Sequence, residues 1–393
     1  MKKILLASAV LASLSAPVVA KDINVGIILG FTGPIESLTP TMAASAELAF
    51  SEASKSGQLL GGQNIVPIRG DSTCIDAAAA TSTAERLVTS DAVVAIMGAD
   101  CSGVTTAIAN NVAIPNGVVM VSPSATSPAL STIDDKGFFH RTAPSDARQG
   151  QVLTDILMRR GIKEVALTYT NNDYGKGLAD SFSNAFKAKG GTISISAGHE
   201  DGKADYSAEV GALSASGSEH LAVFGYLDQG GKGIVQAAID SDAFRNFIMG
   251  DGMVGESILA AIGDGMNGTI ATIAGGATGA DAFMAYAKEN GVAGDGAYAP
   301  ESYDAAALIV LAMQAAGSTD RAAIQSKMNM VANAPGKKIG PGELSKALKI
   351  IAAGGDVDYQ GATNVEFNDV GEVYGSYKEL EVDAGKWNTI KVH

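Results

Sequence analysis

The chain has 393 residues with 42 acidic against 28 basic side chains, a formal charge of −14. A balance this acidic disfavours nucleic acid and anionic membranes as partners. Its four histidines (His140, His199, His220, His393) show no metal-ligand spacing and read as surface or incidental residues.

The chain opens with MKKILLASAVLASLSAPVVA. Two lysines lead a short apolar run, and Val18 and Ala20 supply small residues at −3 and −1, which reads as a secretory signal peptide over 1–20 cleaved after Ala20. The alternative, a membrane anchor, asks for a longer apolar run. Cleavage would leave 373 residues, carry the charge to −16 by removing Lys2 and Lys3, and place the protein in the periplasm. That length suggests two domains.

Strand-like and helical patterns then alternate. INVGIILG (23–30) is a strand, PTMAASAELAFSEASKSG (40–57) a helix and NIVPIRGD (64–71) a strand. DAAAATSTAERLVTS (76–90) is a helix with Asp76 at its N-cap, AVVAIMG a strand, SGVTTAIANNVAIP a helix and GVVMVSP a strand. The rhythm restarts after FHRTAPSDARQG (139–150) and runs through KEVALTYT, TISISAGH, HLAVFGY and NFIMGD as strands with helices between them. Two similar βα units predict an α/β protein of two Rossmann-like lobes, each with a parallel-core sheet. DAFMAYAKENG and ESYDAAALIVLAMQAAG are long helices, and GATNVEFNDVGEVYGSYKELEV reads as a hairpin turning at NDVGE.

Cys74 and Cys101 are the only cysteines. In an exported protein a minimal pair suggests one disulfide, with two free thiols as the alternative.

In open α/β sheets ligands bind beyond the carboxyl ends of strands, where helix starts offer unpaired N–H groups to anions. Ser102 is placed to cap one helix, and Thr126 or Ser127 to cap another ahead of Pro128; two such starts side by side could grip one carboxylate. NNDYGKG, FGY and MGDG put Tyr174, Tyr226 and Asp251 at three more strand ends, where tyrosines can stack on a ligand and an aspartate can meet an ammonium. Each residue also has a plain structural reading as a cap, a turn tyrosine or a solvated aspartate. Catalytic signatures are missing: GILGFTG and YGKGLA do not make the dinucleotide fingerprint, and no Walker loop, GxSxG or HExxH occurs.

These segments together resemble the periplasmic amino-acid-binding proteins of ABC importers, of the leucine/isoleucine/valine-binding type with the type I periplasmic-binding fold. The likeness rests on FTGP (31–34), DSTC (71–74), CSGVT (101–105), SPSATSPAL (122–130), RT (141–142), QG (149–150), YGKGLA (174–179), GY (225–226) and MGDG (249–252), in that order. It implies two lobes closing on a ligand around crossovers near Thr142, Ala274 and Gly361, so that 21–142 plus 275–361 form one lobe and 143–274 plus 362–393 the other. It further implies a ligand carboxylate held by Ser102, Ser124, Ala125 and Thr126, and an ammonium held by Asp251 with help from Thr126 and the Ser124 carbonyl. Tyr174 and Tyr226 would flank the ligand, with Leu38 and Tyr298 near its side chain and a disulfide joining Cys74 and Cys101. The implied partners are an amino acid and an inner-membrane ABC permease, with no cofactor, no catalysis and a monomeric protein. A sensor feeding a chemoreceptor or kinase, or an amide- or small-acid-binding protein, is the alternative within the same fold. Two departures bear on the ligand. Gly250-Asp251-Gly252 stands where leucine-type members carry Gly-Pro-Glu-Gly, and Leu38 stands where an aromatic is common. Glu301, near Tyr298, either favours a polar or cationic side chain or faces solvent.

Overall fold

A computed structural model describes residues 22–393, so the leader read at 1–20 lies outside the described residues. The first unit is built on β1 (Ile23–Leu29), β2 (Ile65–Asp71), β3 (Ala95–Gly98), β4 (Val119–Ser122) and β5 (Phe139–Arg141), all parallel, in the order β2-β1-β3-β4-β5. β1, β3 and β4 are apolar runs covered on both faces, as parallel strands require. α1 (Thr39–Lys55), α2 (Ala77–Thr89) and α3 (Ser102–Ile108) make the crossovers. On α1, Met42, Ala46, Ala49, Phe50 and Ala53 recur at helical spacing and form the buried stripe. α2 starts where Asp76 accepts hydrogen bonds from the backbone N–H groups of Ala78 (2.9 Å) and Ala79 (3.0 Å), as its sequence predicts.

The second unit repeats the plan. α4 (Asp146–Arg159), α5 (Asp173–Ala188), α6 (Ser207–Ser214), α7 (Gly230–Asp240) and α8 (Glu256–Ile262) alternate with β6 (Glu164–Thr170), β7 (Thr192–His199), β8 (His220–Phe224), β9 (Asn246–Met249) and β10 (Ile270–Ala274). The parallel strands run β7-β6-β8-β9-β10, the same winding as the first sheet. α9 (Ala280–Glu289) and α10 (Ala299–Ala316) follow, then the short parallel pair β11 (Lys337–Ile339) and β12 (Val357–Tyr359). β13 (Tyr377–Asp383) and β14 (Lys386–Val392) extend the second sheet on β10, antiparallel. α10 is apolar nearly all round and buried from Tyr303 to Met313, because it packs on α1 and on β3 and β4 while short helices within 321–352 cover its other sides.

The chain thus passes from the first sheet to the second after β5, leaves it after β10, and returns between β12 and β13. The third passage is pinned by Asp304 of α10, whose carboxylate accepts from the N–H groups of Ala362 (2.9 Å) and Thr363 (2.8 Å) and from the hydroxyls of Thr363 (2.7 Å) and Tyr359 (2.7 Å). Gly361 there has φ +57°, and a Cβ on it would lie 2.3 Å from the Asp304 Oδ1, so both conformation and space demand glycine.

Two expectations need correction. The turn at Asn368–Glu372 closes only an isolated bridge between Phe367 and Val373; the long hairpin is the next one, β13–β14, turning at Ala384-Gly385. His140 and His199 are buried and not on the surface, and burial holds both imidazoles down at a pKa of about 4. No cluster of metal-ligating side chains and no helix long and apolar enough to cross a membrane occurs among the described residues.

Candidate functional site

In sheets wound this way the reversal of strand order opens a crevice at the strands' carboxyl ends. In the first sheet that reversal lies between β1 and β3, and in the second between β6 and β8. The two crevices face each other. The chain after β1 reaches across: Ser37 N–H donates to the Asp228 carboxylate (2.9 Å), Asp228 N–H donates to the Pro34 carbonyl (3.0 Å), and Ser257 Oγ also donates to Asp228 (2.6 Å).

Between them lies a cavity of about 20 Å³, room for little more than one water. Ser102, Ser124, Tyr174, Tyr226, Asp251, Leu38 and Tyr298 all line it. Ala125 and Thr126 do not. Ala125 N–H donates to Ser122 Oγ (2.9 Å) and is spoken for, while the Thr126 hydroxyl is buried without a hydrogen-bond partner.

Each wall is set by backbone geometry. Cys101, bonded to Cys74 with the Cα atoms 5.2 Å apart, precedes α3. Cys101, not Ser102, occupies the N-cap position; Ser102 is the first helical residue, and its Oγ accepts from Ser127 N–H (3.1 Å), leaving its own O–H as a donor. Pro128–Thr132 is a single 3₁₀ turn capped by Ser127, so the paired helix starts expected here reduce to one short helix and one turn. The strand-end loops are gathered by Asp100, which sequence reasoning passed over. Its buried carboxylate accepts from Gly30 N–H (2.6 Å), Cys101 N–H (2.9 Å) and the Ser72 hydroxyl (3.2 Å), and its carbonyl accepts from the Ser124 hydroxyl (3.0 Å). Arg141, fully buried, donates to the Ala125 (3.1 Å) and Ser127 (2.9 Å) carbonyls and to Glu372 through Nε (2.9 Å), fixing the 124–127 segment from below.

On the opposite wall, Asn172 caps α5 by accepting from Gly175 N–H (3.1 Å), which sets Tyr174 in the first turn. Tyr174 stacks on Tyr226 with ring centroids 5.3 Å apart. Asp251, just past β9, is 2% exposed. Its carboxylate accepts from the Tyr174 hydroxyl (3.0 Å) on its own side and from the Tyr298 hydroxyl across the cleft. It forms no ion pair with any described residue. Burial is the largest influence on it and raises its pKa against the lowering effect of those phenols. A second carboxylate, Asp146, is also buried, and neither of its oxygens has a hydrogen-bond partner. Burial first, then the charge of Asp251, hold its pKa well above the usual range.

Ser102, Tyr174, Tyr226 and Asp251 sit at strand or turn ends that the sequence marks, and Ser124, Leu38 and Tyr298 follow from the resemblance; Ile35, Met42, Asp100, Cys101 and Gly252 complete the wall. Asp100 stands directly before Cys101-Ser102-Gly103, just past the apolar β3 run, and an acid at that strand end was the signal the sequence held.

Comparison with known proteins bears on the architecture. A family model described as periplasmic binding protein matches residues 22–343.

The chain belongs to that family.

This binding protein is 30% identical over 316 residues to the Leu/Ile/Val-binding protein homolog 3 of Brucella melitensis, covering 78% of this chain and 82% of the relative. It is 27% identical over 378 residues to the chemotactic signal transduction system substrate-binding protein BasB of Halobacterium salinarum, covering 93% of this chain and 88% of that one. Its fold matches the branched-chain amino acid transporter substrate binding protein LivJ from Streptococcus pneumoniae, solved in complex with isoleucine, with a TM-score of 0.76, 22% identity, and 95% and 99% of the two chains covered.

Proposed function

We propose that this binding protein is exported, captures an amino acid in the cleft between its two halves, performs no chemistry on it, and delivers it to an ABC importer. The halves are 21–142 plus 275–361 and 143–274 plus 362–393, joined by the three passages between the sheets. The observation that carries the reading is Asp251: a buried carboxylate at the cleft, answered by two phenol hydroxyls and by no cation among the described residues. Removing a carboxylate from water without a counter-ion is costly, and an ammonium is the group that offsets the cost. Facing it, the Ser102 hydroxyl and the Ser124 region offer donors to a carboxylate. A zwitterion therefore ties one half to the other, and both charge-assisted contacts strengthen as closure excludes water.

Ligand binding then shifts an open–closed equilibrium toward the closed form, by as much as the ligand prefers that form. A permease would read the closed surface. A taxis-reporting role, the setting named for the Halobacterium relative, would use the same capture step with a different membrane partner.

A thermal-shift screen against the twenty amino acids and common small acids, followed by calorimetry, tests this. Some amino acids should raise the melting temperature, and Asp251→Ala should abolish their binding while the protein still melts cooperatively. Stabilisation by simple acids alone, or unchanged affinity in the variant, would contradict the reading.

A further inference from the structure

Behind the wall formed by Leu38 and Tyr298 lies a second, larger cavity of about 470 Å³. Those two residues line both cavities, so they form the partition between them. Its lining also includes Met284, Glu301, Lys378 and Trp387, with Glu301 one helical turn on from Tyr298. Glu301 sits in the first turn of α10, 2% exposed, and its carboxylate is hydrogen-bonded to no other described side chain and paired with no cation. Lys378 comes from β13, opposite Ile273 of β10; its Nζ lies 3.4 Å from where a Cβ on Gly275 would stand, and it too forms no ion pair. The Trp387 ring is fixed in the wall by its Nε1–H donating to the Gly255 carbonyl (3.1 Å).

We infer that the ligand is an amino acid whose long side chain crosses the Leu38–Tyr298 partition and ends in a carboxamide or ureido group, its N–H donating to Glu301 and its carbonyl accepting from Lys378. This rests on the capture reading and narrows it. Tyr298 is held in the partition by its hydrogen bond to Asp251. An ammonium arriving at Asp251 competes for that oxygen and frees the ring to turn, which opens the way into the larger cavity. The end group follows from the pair of charges that face the space. A hydrocarbon end leaves both unanswered, a cationic end meets Lys378 with like charge, and an anionic end does the same to Glu301. A group that donates and accepts at once satisfies both, and polar groups built to be answered discriminate strongly against ligands that leave them unpaired.

Calorimetry at pH 8 on the full-length mature protein with glutamine, citrulline, leucine and lysine tests this. At least one of glutamine and citrulline should bind the wild type about tenfold or more tighter than leucine and lysine, the size expected for a hydrogen bond to a charged group. Glu301→Ala and, on the other partner, Lys378→Met should each narrow the ratio of amide to leucine affinity by about tenfold, with cooperative melting confirming that each variant is folded. Leucine or lysine binding the wild type as tightly as both amides, or an unchanged ratio in both folded variants, overturns this inference and leaves the capture reading standing. Binding of none of the four, nor of any other amino acid, overturns both. The wild-type ranking decides the matter even if a variant fails to fold.

Discussion

Glu301 holds a carboxyl where it is 2% exposed and poorly solvated. Burial lifts its carboxyl from 4.5 to about 7. A carboxyl whose pKa rises on folding contributes its full stability below the unfolded value and loses it as pH climbs through the folded one. Glu301→Gln, neutral at every pH, should therefore melt like the wild type near pH 4 apart from a constant offset. Its advantage should grow between pH 4.5 and about 7 and level off above. Melting curves from pH 4 to 8 check this; an advantage that shrinks with rising pH would mean the carboxylate is stabilised in place. The sequence brought attention to Glu301 but left it between cavity and solvent, because helical spacing does not say what packs over a first turn. Asp251 was legible as a strand-end acid. Its bond to Tyr298 was not, since the two belong to opposite walls 47 positions apart.

The elements were easier to read than their fastenings. Apolar runs of strand length, each followed by a helical pattern, are local signals, and the parallel cores of the two sheets follow from them. The tail shows where local chemistry misleads. Asn-Asp-Val-Gly has the stronger turn composition, yet Ala384-Gly385 makes the hairpin, because β13 has β10 to pair with and the segment before it does not. Arg141 is a fastening of the same hidden kind. It ties β5 to the 125–127 segment and to Glu372, a residue 231 positions away. Arg141→Gln leaves Glu372 unpaired and two carbonyls under-served, at a cost of roughly 3–5 kcal/mol. Denaturant unfolding should register that loss, together with weakened amino-acid binding; a loss below about 1 kcal/mol would mean the pair behaves as a surface ion pair.

Taken as a molecule, the protein is two similarly wound units linked by three passages of chain, with the proposed ligand contacts divided between them. The Cys74–Cys101 bond lies wholly in the first unit and closes a 27-residue separation. Loop closure of that size contributes about 3–4 kcal/mol. Reduction should lower the melting temperature and, because Cys101 adjoins Ser102, weaken binding as well; an unchanged melt under reductant would contradict the bond's role.

The most direct measurement compares two ligands that differ at one group. Calorimetry should be run with a bound amino acid and with the same molecule carrying hydrogen in place of its α-ammonium, on the wild type and on Asp251→Asn. The wild type should bind the deaminated acid at least about 100-fold more weakly, and Asp251→Asn should close most of that gap. Equal affinity of the wild type for the two molecules would contradict a zwitterion held across the cleft.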